Sequence, residues 1–165
     1  MSAWVFREAS ELWAALLVGS VGALLFAALI MEHVFGMAPC PLCLMQRIWF
    51  FVAGAFAFAS LLHNPRLGIY PLCSIIAAIV GGGFSIRQLY LQSLPADQVP
   101  SCGPDMSYML EAFPLTDVLI AMTRGTGDCA EVAWSFLGIS IPGWALVGFV
   151  ALAVMAALQL RAGTR

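Results

Sequence analysis

Pro39-Cys40-Pro41-Leu42-Cys43-Leu44-Met45-Gln46-Arg47 stands at the start of a long apolar run, and its reading decides both the fold and the chemistry. Proline suits the first position of a helix, where its missing N–H costs nothing and its φ is already preset. Pro41 therefore starts a helix, Cys40 becomes its N-cap, and Cys43 falls in the first turn beside free backbone N–H groups. Those groups and the helix dipole favour a thiolate there. Arg47 follows Cys43 by four residues and projects from the same helix face. Its permanent charge is a second reason for a reactive thiol. Arg47 also reads as a snorkelling residue at the point where a helix leaves the bilayer, and one arginine can do both.

The surroundings of this stretch are those of a membrane. The chain has 165 residues, 62% of them hydrophobic and 10% charged, whereas soluble domains carry about a quarter charged residues. The formal net charge of −2 suggests no nucleic-acid partner, and all seven basic residues are arginine. Uncharged runs of about the twenty residues needed to cross a bilayer recur along the chain. They predict an all-α, integral membrane four-helix bundle forming a single domain, with spans over residues 12–31, 42–62, 67–86 and 142–160.

Residues 1–11 read as a short mixed-charge leader with Arg7, Glu8 and Glu11. Its acids and the length of the following run argue against a cleaved signal peptide. Glu32 to Pro39 reads as a loop and His63-Asn64-Pro65-Arg66 as a tight turn. Gly81-Gly82-Gly83 in the third span permits either close helix packing or a kink. Cys73 in the same span reads as a buried structural thiol. The one long extramembrane segment, 87–141, carries Cys102 and Cys129, with short helices expected over Asp105–Ala112 and Thr116–Met122. The stretch from Trp134 to Ile139 has too much apolar surface for a free loop and suits the membrane interface.

Four spans place both termini on one side. Arg7, Arg66, Arg161 and Arg165 lie there, against Arg47, Arg87 and Arg124 on the other. The positive-inside rule then puts the termini in the cytoplasm. Cys40, Cys43, Cys102 and Cys129 fall on the outer, oxidising side, where disulfides persist. A static staple accounts for a Cys102–Cys129 bridge, which closes a long loop, but poorly for Cys40–Cys43, where a tight ring removes little chain entropy. Zinc fits badly, because the second pair lacks the close ligand spacing and has no histidine near it. What remains is a relay in which one pair passes electrons to the other by thiol–disulfide exchange. Its sink would be a lipid-soluble two-electron acceptor reaching Cys43 and Arg47 at the hydrocarbon edge. A quinone fits, since a cationic donor stabilises its reduced oxygen.

The chain closely resembles the disulfide bond formation protein B (DsbB) family of bacterial inner-membrane thiol oxidases. The likeness rests on Cys40-Pro41-Leu42-Cys43 with Gln46-Arg47, on Cys102, and on Gly127-Asp128-Cys129-Ala130-Glu131, Trp134, Phe136-Leu137-Gly138 and Pro142-x-Trp144. It implies a quinone-dependent oxidoreductase that keeps a periplasmic thioredoxin-fold (DsbA-like) oxidase in its disulfide form. Electrons would run from that partner to Cys102–Cys129, on to Cys40–Cys43, and then to ubiquinone or menaquinone. The resemblance implies that Cys43 faces the quinone with Arg47 beside it. Some relatives carry a histidine at the loop-side end of the third span, where this chain reads Arg87-Gln88-Leu89-Tyr90-Leu91-Gln92-Ser93. Vitamin K epoxide reductase-like proteins also combine four helices with a C-x-x-C, but their loop cysteines precede that motif and here they follow it. A non-enzymatic, disulfide-stapled membrane bundle is the alternative outside enzymes.

Overall fold

A computed structural model of the chain describes residues 2–64, 66–95, 97–103 and 106–163, without the side chains of residues 2–8, 106, 107 and 110. Four long helices dominate: α1 (Ser2–His33), α2 (Pro41–His63), α3 (Ile69–Ser93) and α6 (Ile141–Gly163). Between the last two lie short helices α4 (Met106–Ala112) and α5 (Leu115–Arg124), a 3-10 turn at Gly127–Ala130, and a small hairpin of β1 (Ser135–Phe136) and β2 (Ile139–Ser140). All four long helices are long and apolar enough to cross a membrane. The protein is a multi-pass membrane helical bundle.

Their packing order follows from which faces are small. α1 packs on α2, α2 on α3, α3 on α6, and α6 returns to α1, closing a ring. The centre combines a few large side chains with alanines: Leu17 and Val21, Phe50 with Ala53 and Ala57, Ala77 and Ala78, then Phe149, Leu152 and Ala156. Phe50 and Phe149 stack with ring centroids 3.8 Å apart and planes within 4°. In lipid there is little hydrophobic gain from helix association, so small residues and interhelical hydrogen bonds carry it. Ser74 Oγ donates to the Ala53 carbonyl at 3.0 Å, and Gln159 Nε2 to Ser60 Oγ at 2.8 Å. Gly81 resolves the question of the triple glycine in favour of close packing. A Cβ there would lie 2.2 Å from Phe149 Cε1 and 2.9 Å from Trp49 Cβ, and the helix continues through all three glycines.

Several boundaries differ from the sequence expectation, each for a local reason. The expected leader is helical from Ser2, because α1 continues through it without a break, and the helix extends past Glu32 to His33. α3 runs to Ser93, so Arg87 to Ser93 are helix rather than loop. Apolar run length marks the span, whereas hydrogen bonding carries the helix onward to Leu94, which caps it through a bond to the Leu91 carbonyl. Of the two expected short helices, the first begins at Met106, with Asp105 outside the described residues, and the second covers Leu115–Arg124. The apolar stretch from Trp134 to Ile139 is a two-residue-loop hairpin, with Ser135 opposite Ser140 and Phe136 opposite Ile139. Leu137 and Gly138 at its tip both have positive φ, 53° and 76°, the backbone that matches the twist of paired strands.

Candidate functional site

Cys40 has the expected capping geometry. Its φ of −69° and ψ of 164° are extended, Pro41 follows as the first helical residue, and the Cys40 carbonyl accepts from Leu44 N at 3.1 Å. The turn that follows brings Cys43 Sγ to 2.9 Å from Cys40 Sγ. All five cysteines are thiols in this structure.

Over this pair sits the 3-10 turn Gly127–Ala130, wedged against the start of α2 and the end of α3. Cys129 is 0% exposed and forms a small core with Leu42 and Leu91, against which Cys40, Phe84, Leu94 and Ala130 pack. Its sulfur receives a hydrogen bond from Cys40, which holds Cys129 down at about 6, helped by the backbone N–H groups of Leu42 and Thr126 against the opposing effect of burial. The Cys40 thiol is correspondingly pushed up, first by its bond to Cys129 and then by its bond to Cys43. Cys40 thus keeps its proton and shares it between two sulfur acceptors.

Cys102 lies at the same end of the bundle but faces out and is exposed. Gly127 lets its segment approach. A Cβ on Gly127 would meet the Pro100 carbonyl oxygen at 2.5 Å and both N and Sγ of Cys102 at 3.0 Å, and Gly127 N donates to the Ser101 carbonyl at 3.2 Å. Asp128 hydrogen-bonds the Cys102 thiol and raises it above the ordinary cysteine range. The two loop cysteines are therefore set apart in character. One is exposed and kept protonated beside a carboxylate; the other is buried with a stabilised thiolate.

Beneath the cysteines a cavity of about 230 Å³ opens between the helices. Leu24, Ala28, Phe50 and Ala145 make its apolar walls, with Trp134 and Trp144 at the hairpin side. Trp134 stacks on Phe136 at 5.9 Å, and Trp144 Nε1 donates to the Phe136 carbonyl at 3.2 Å. Cys40, Cys43, Gln46, Arg47 and Gln88 line its polar side, and Gln92, Asp128 and Glu131 also reach it. Arg47 shares this cavity with Cys43, as its helix position requires, but its own bonds run to α1. It forms an ion pair with Glu32 and donates to the Ala28 carbonyl at 3.2 Å.

Two residues went unassigned in the sequence reading. Gln88 Nε2 lies 3.3 Å from both Cys40 Sγ and Cys43 Sγ, and Gln46 Nε2 donates to Gln88 Oε1 at 2.8 Å. A carboxamide inside an apolar span is the signal that could have found them, since polar groups in lipid need partners. Cys73 stands apart from this cluster, half-buried in the first turns of α3, at the opposite end of that helix from Gln88. Among the described residues no group of histidine, cysteine and carboxylate side chains is arranged to hold a metal ion.

A four-span bundle that gathers a helix-capping C-x-x-C, a buried loop cysteine and an exposed loop cysteine at one end is a membrane protein arranged for thiol–disulfide chemistry. Residues 9–159 match the family described as "DsbB: Disulfide bond formation protein DsbB". Relatives called disulfide bond formation protein B include one from Marinobacter nauticus, 54% identical over 80% of this chain and 80% of its own. Another, from Hahella chejuensis, is 49% identical over 79% of this chain and 81% of its own. A third, from Acinetobacter baylyi, is 39% identical over 95% and 92%. No solved structure matches the chain. The chain belongs to the DsbB family, and its activity is disulfide bond formation.

Proposed function

We propose that this protein is a quinone-dependent thiol oxidase that reoxidises a periplasmic thioredoxin-fold disulfide donor of the DsbA type. The observation that carries the reading is the contact of Cys129 with Cys40, whose sulfur is itself 2.9 Å from Cys43 Sγ. The buried loop sulfur thus packs against one member of the C-x-x-C pair, which is the contact an exchange between the two pairs requires.

A partner thiolate attacks Cys102 of an oxidised Cys102–Cys129 pair, forming a mixed disulfide and releasing Cys129 as thiolate. Cys129 attacks Cys40 of an oxidised Cys40–Cys43 pair, and Cys43 leaves as thiolate. The partner's second cysteine then displaces Cys102, and Cys102 attacks Cys129 to restore the loop disulfide and free Cys40. The partner has lost two electrons and Cys40–Cys43 has gained them. Cys129 suits both its roles, because the backbone N–H groups of Leu42 and Thr126 favour its thiolate whether or not Cys40 carries a proton, both as leaving group and as nucleophile.

The cavity suits a quinone headgroup. It has several times the roughly 30 Å³ share of one water, walls that are mostly apolar, and the polar groups of Cys43, Gln46, Arg47 and Gln88 on one side. Ubiquinone or menaquinone would supply a two-electron, two-proton acceptor there. Cys43 would face it, and Arg47 would hold the negative charge that develops, balanced at rest by Glu32. The cysteine end of the bundle would lie at the periplasmic face of the bacterial inner membrane, with both termini cytoplasmic.

Purified protein in lipid, given a reduced DsbA-type partner, should reduce added quinone with one partner disulfide formed per quinone consumed. Partner oxidation without quinone consumption would remove the quinone from the reading. Sidedness is tested separately in spheroplasts. After mild reduction, a membrane-impermeant thiol reagent should label Cys102, the exposed member of the loop pair. Labelling only after lysis would turn the chain upside down.

A further inference from the structure

The two buried glutamines form a device that the relay as described leaves unused. Gln46 and Gln88 are each 3% exposed. Gln46 Nε2 donates to Gln88 Oε1 at 2.8 Å, which fixes the rotation of the Gln88 amide. Its oxygen also lies 3.6 Å from Cys43 Sγ and accepts from that thiol, while its NH₂ lies 3.3 Å from each sulfur and is the group that can serve a thiolate. A carboxamide has two N–H donors, so one amide can address both sulfurs at once.

We propose that Gln88 is a catalytic residue of the Cys40–Cys43 pair, donating an N–H to the thiolate that Cys43 carries, and that Gln46 positions it. The inference rests on the relay proposed above. When Cys129 attacks Cys40 of the oxidised pair, a Cys129–Cys40 bond forms, the Cys40–Cys43 bond breaks, and its electron pair leaves on Cys43. Cys43 is then left ionised within an apolar span, beside the cavity. The Gln88 amide is already in place, on α3, to receive that charge without reorganisation. In a water-poor site such a donor is worth more than in solvent.

The test uses full-length protein with Cys102 and Cys129 replaced by serine, stripped of quinone, so that only the Cys40–Cys43 pair responds. That pair is equilibrated with a small dithiol buffer, and its reduced fraction is read by mass spectrometry after alkylation. Hydrogen bonds to charged groups set the scale. Gln88→Leu should shift the equilibrium toward the disulfide by about ten- to hundredfold, equivalent to about 30–60 mV for a two-electron couple. Gln88→Glu keeps the side-chain volume and its bond from Gln46 but turns a carboxylate toward the sulfurs, and should shift the equilibrium at least as far. Gln46→Leu should shift it the same way by less. A merely structural glutamine would change thermal stability and leave this equilibrium alone. Values within twofold of the unsubstituted pair in Gln88→Glu, or in both Gln88 variants, would overturn the proposal. Neither partner nor quinone is present, so failure of the unsubstituted protein to reduce quinone would count against the relay's acceptor and not against Gln88.

Discussion

Replacing Cys129 with serine should reduce partner-driven turnover to below about 10⁻³ of the parent rate, the scale on which loss of a reacting group acts. Cys102 remains in this variant, but no loop sulfur is left against Cys40 to pass electrons to the C-x-x-C pair. The division of labour between the loop cysteines is tested in the intact protein, using a partner that retains only its attacking cysteine. Mass spectrometry of the trapped complex should show the partner joined to Cys102, with Cys129 joined to Cys40 in part of the population. Accessibility and acidity argue for this order together. Cys102 is the exposed sulfur, and the backbone N–H groups of Leu42 and Thr126 favour the Cys129 thiolate, so attack at Cys102 expels the better leaving group. A partner attached mainly to Cys129 would sink the assignment.

The second large effect is expected at Arg47. Arg47→Leu should slow quinone reduction by about 10²–10³-fold, the usual weight of one preorganised donor at a developing negative charge. Exchange between the partner and Cys102–Cys129 should be nearly unaffected, because Arg47 touches neither loop cysteine. The ion pair complicates the single variant, since removing Arg47 leaves Glu32 without its cation beside the cavity. A Glu32→Gln, Arg47→Leu double variant removes that complication and should be about as slow as Arg47→Leu alone. Glu32→Gln by itself should retain most of the activity. Arg47→Lys should recover only part, because a flexible ammonium does not reproduce a planar fork bound to both Glu32 and the Ala28 carbonyl. Quinone kinetics unchanged in the double variant would reduce Arg47 to an anchor between α1 and α2.

Much of this was legible in the sequence because it depends on local chemistry. Run length and the near-absence of charge decide that a segment spans lipid, whatever its neighbours. Pro41 decides where α2 begins, and so makes Cys40 a cap and Cys43 a first-turn residue. Helical spacing puts Arg47 on the side of Cys43. Boundaries were less legible where hydropathy and hydrogen bonding part company, as at the end of α3, or where a hairpin with positive φ at Leu137 and Gly138 replaces a featureless apolar stretch.

Other features exist only through tertiary packing. Nothing local to Cys129 says that it rests on Leu42 and Leu91 and bonds to Cys40, since that contact joins the loop after α5 to the N-terminus of α2. Glu32 becomes the counter-ion of Arg47 because α1 packs on α2, and Gln88 reaches both sulfurs because α3 packs on α2 from the other side. A side chain's period along its own helix follows from the sequence around it. Which charge or sulfur it meets across the bundle depends on helix rotation and approach, and these are set by small residues such as Gly81 against Phe149. The cysteines and their order were thus determined by the sequence itself. Which sulfur is buried, which is exposed, and which donor each one faces was decided by how the helices pack.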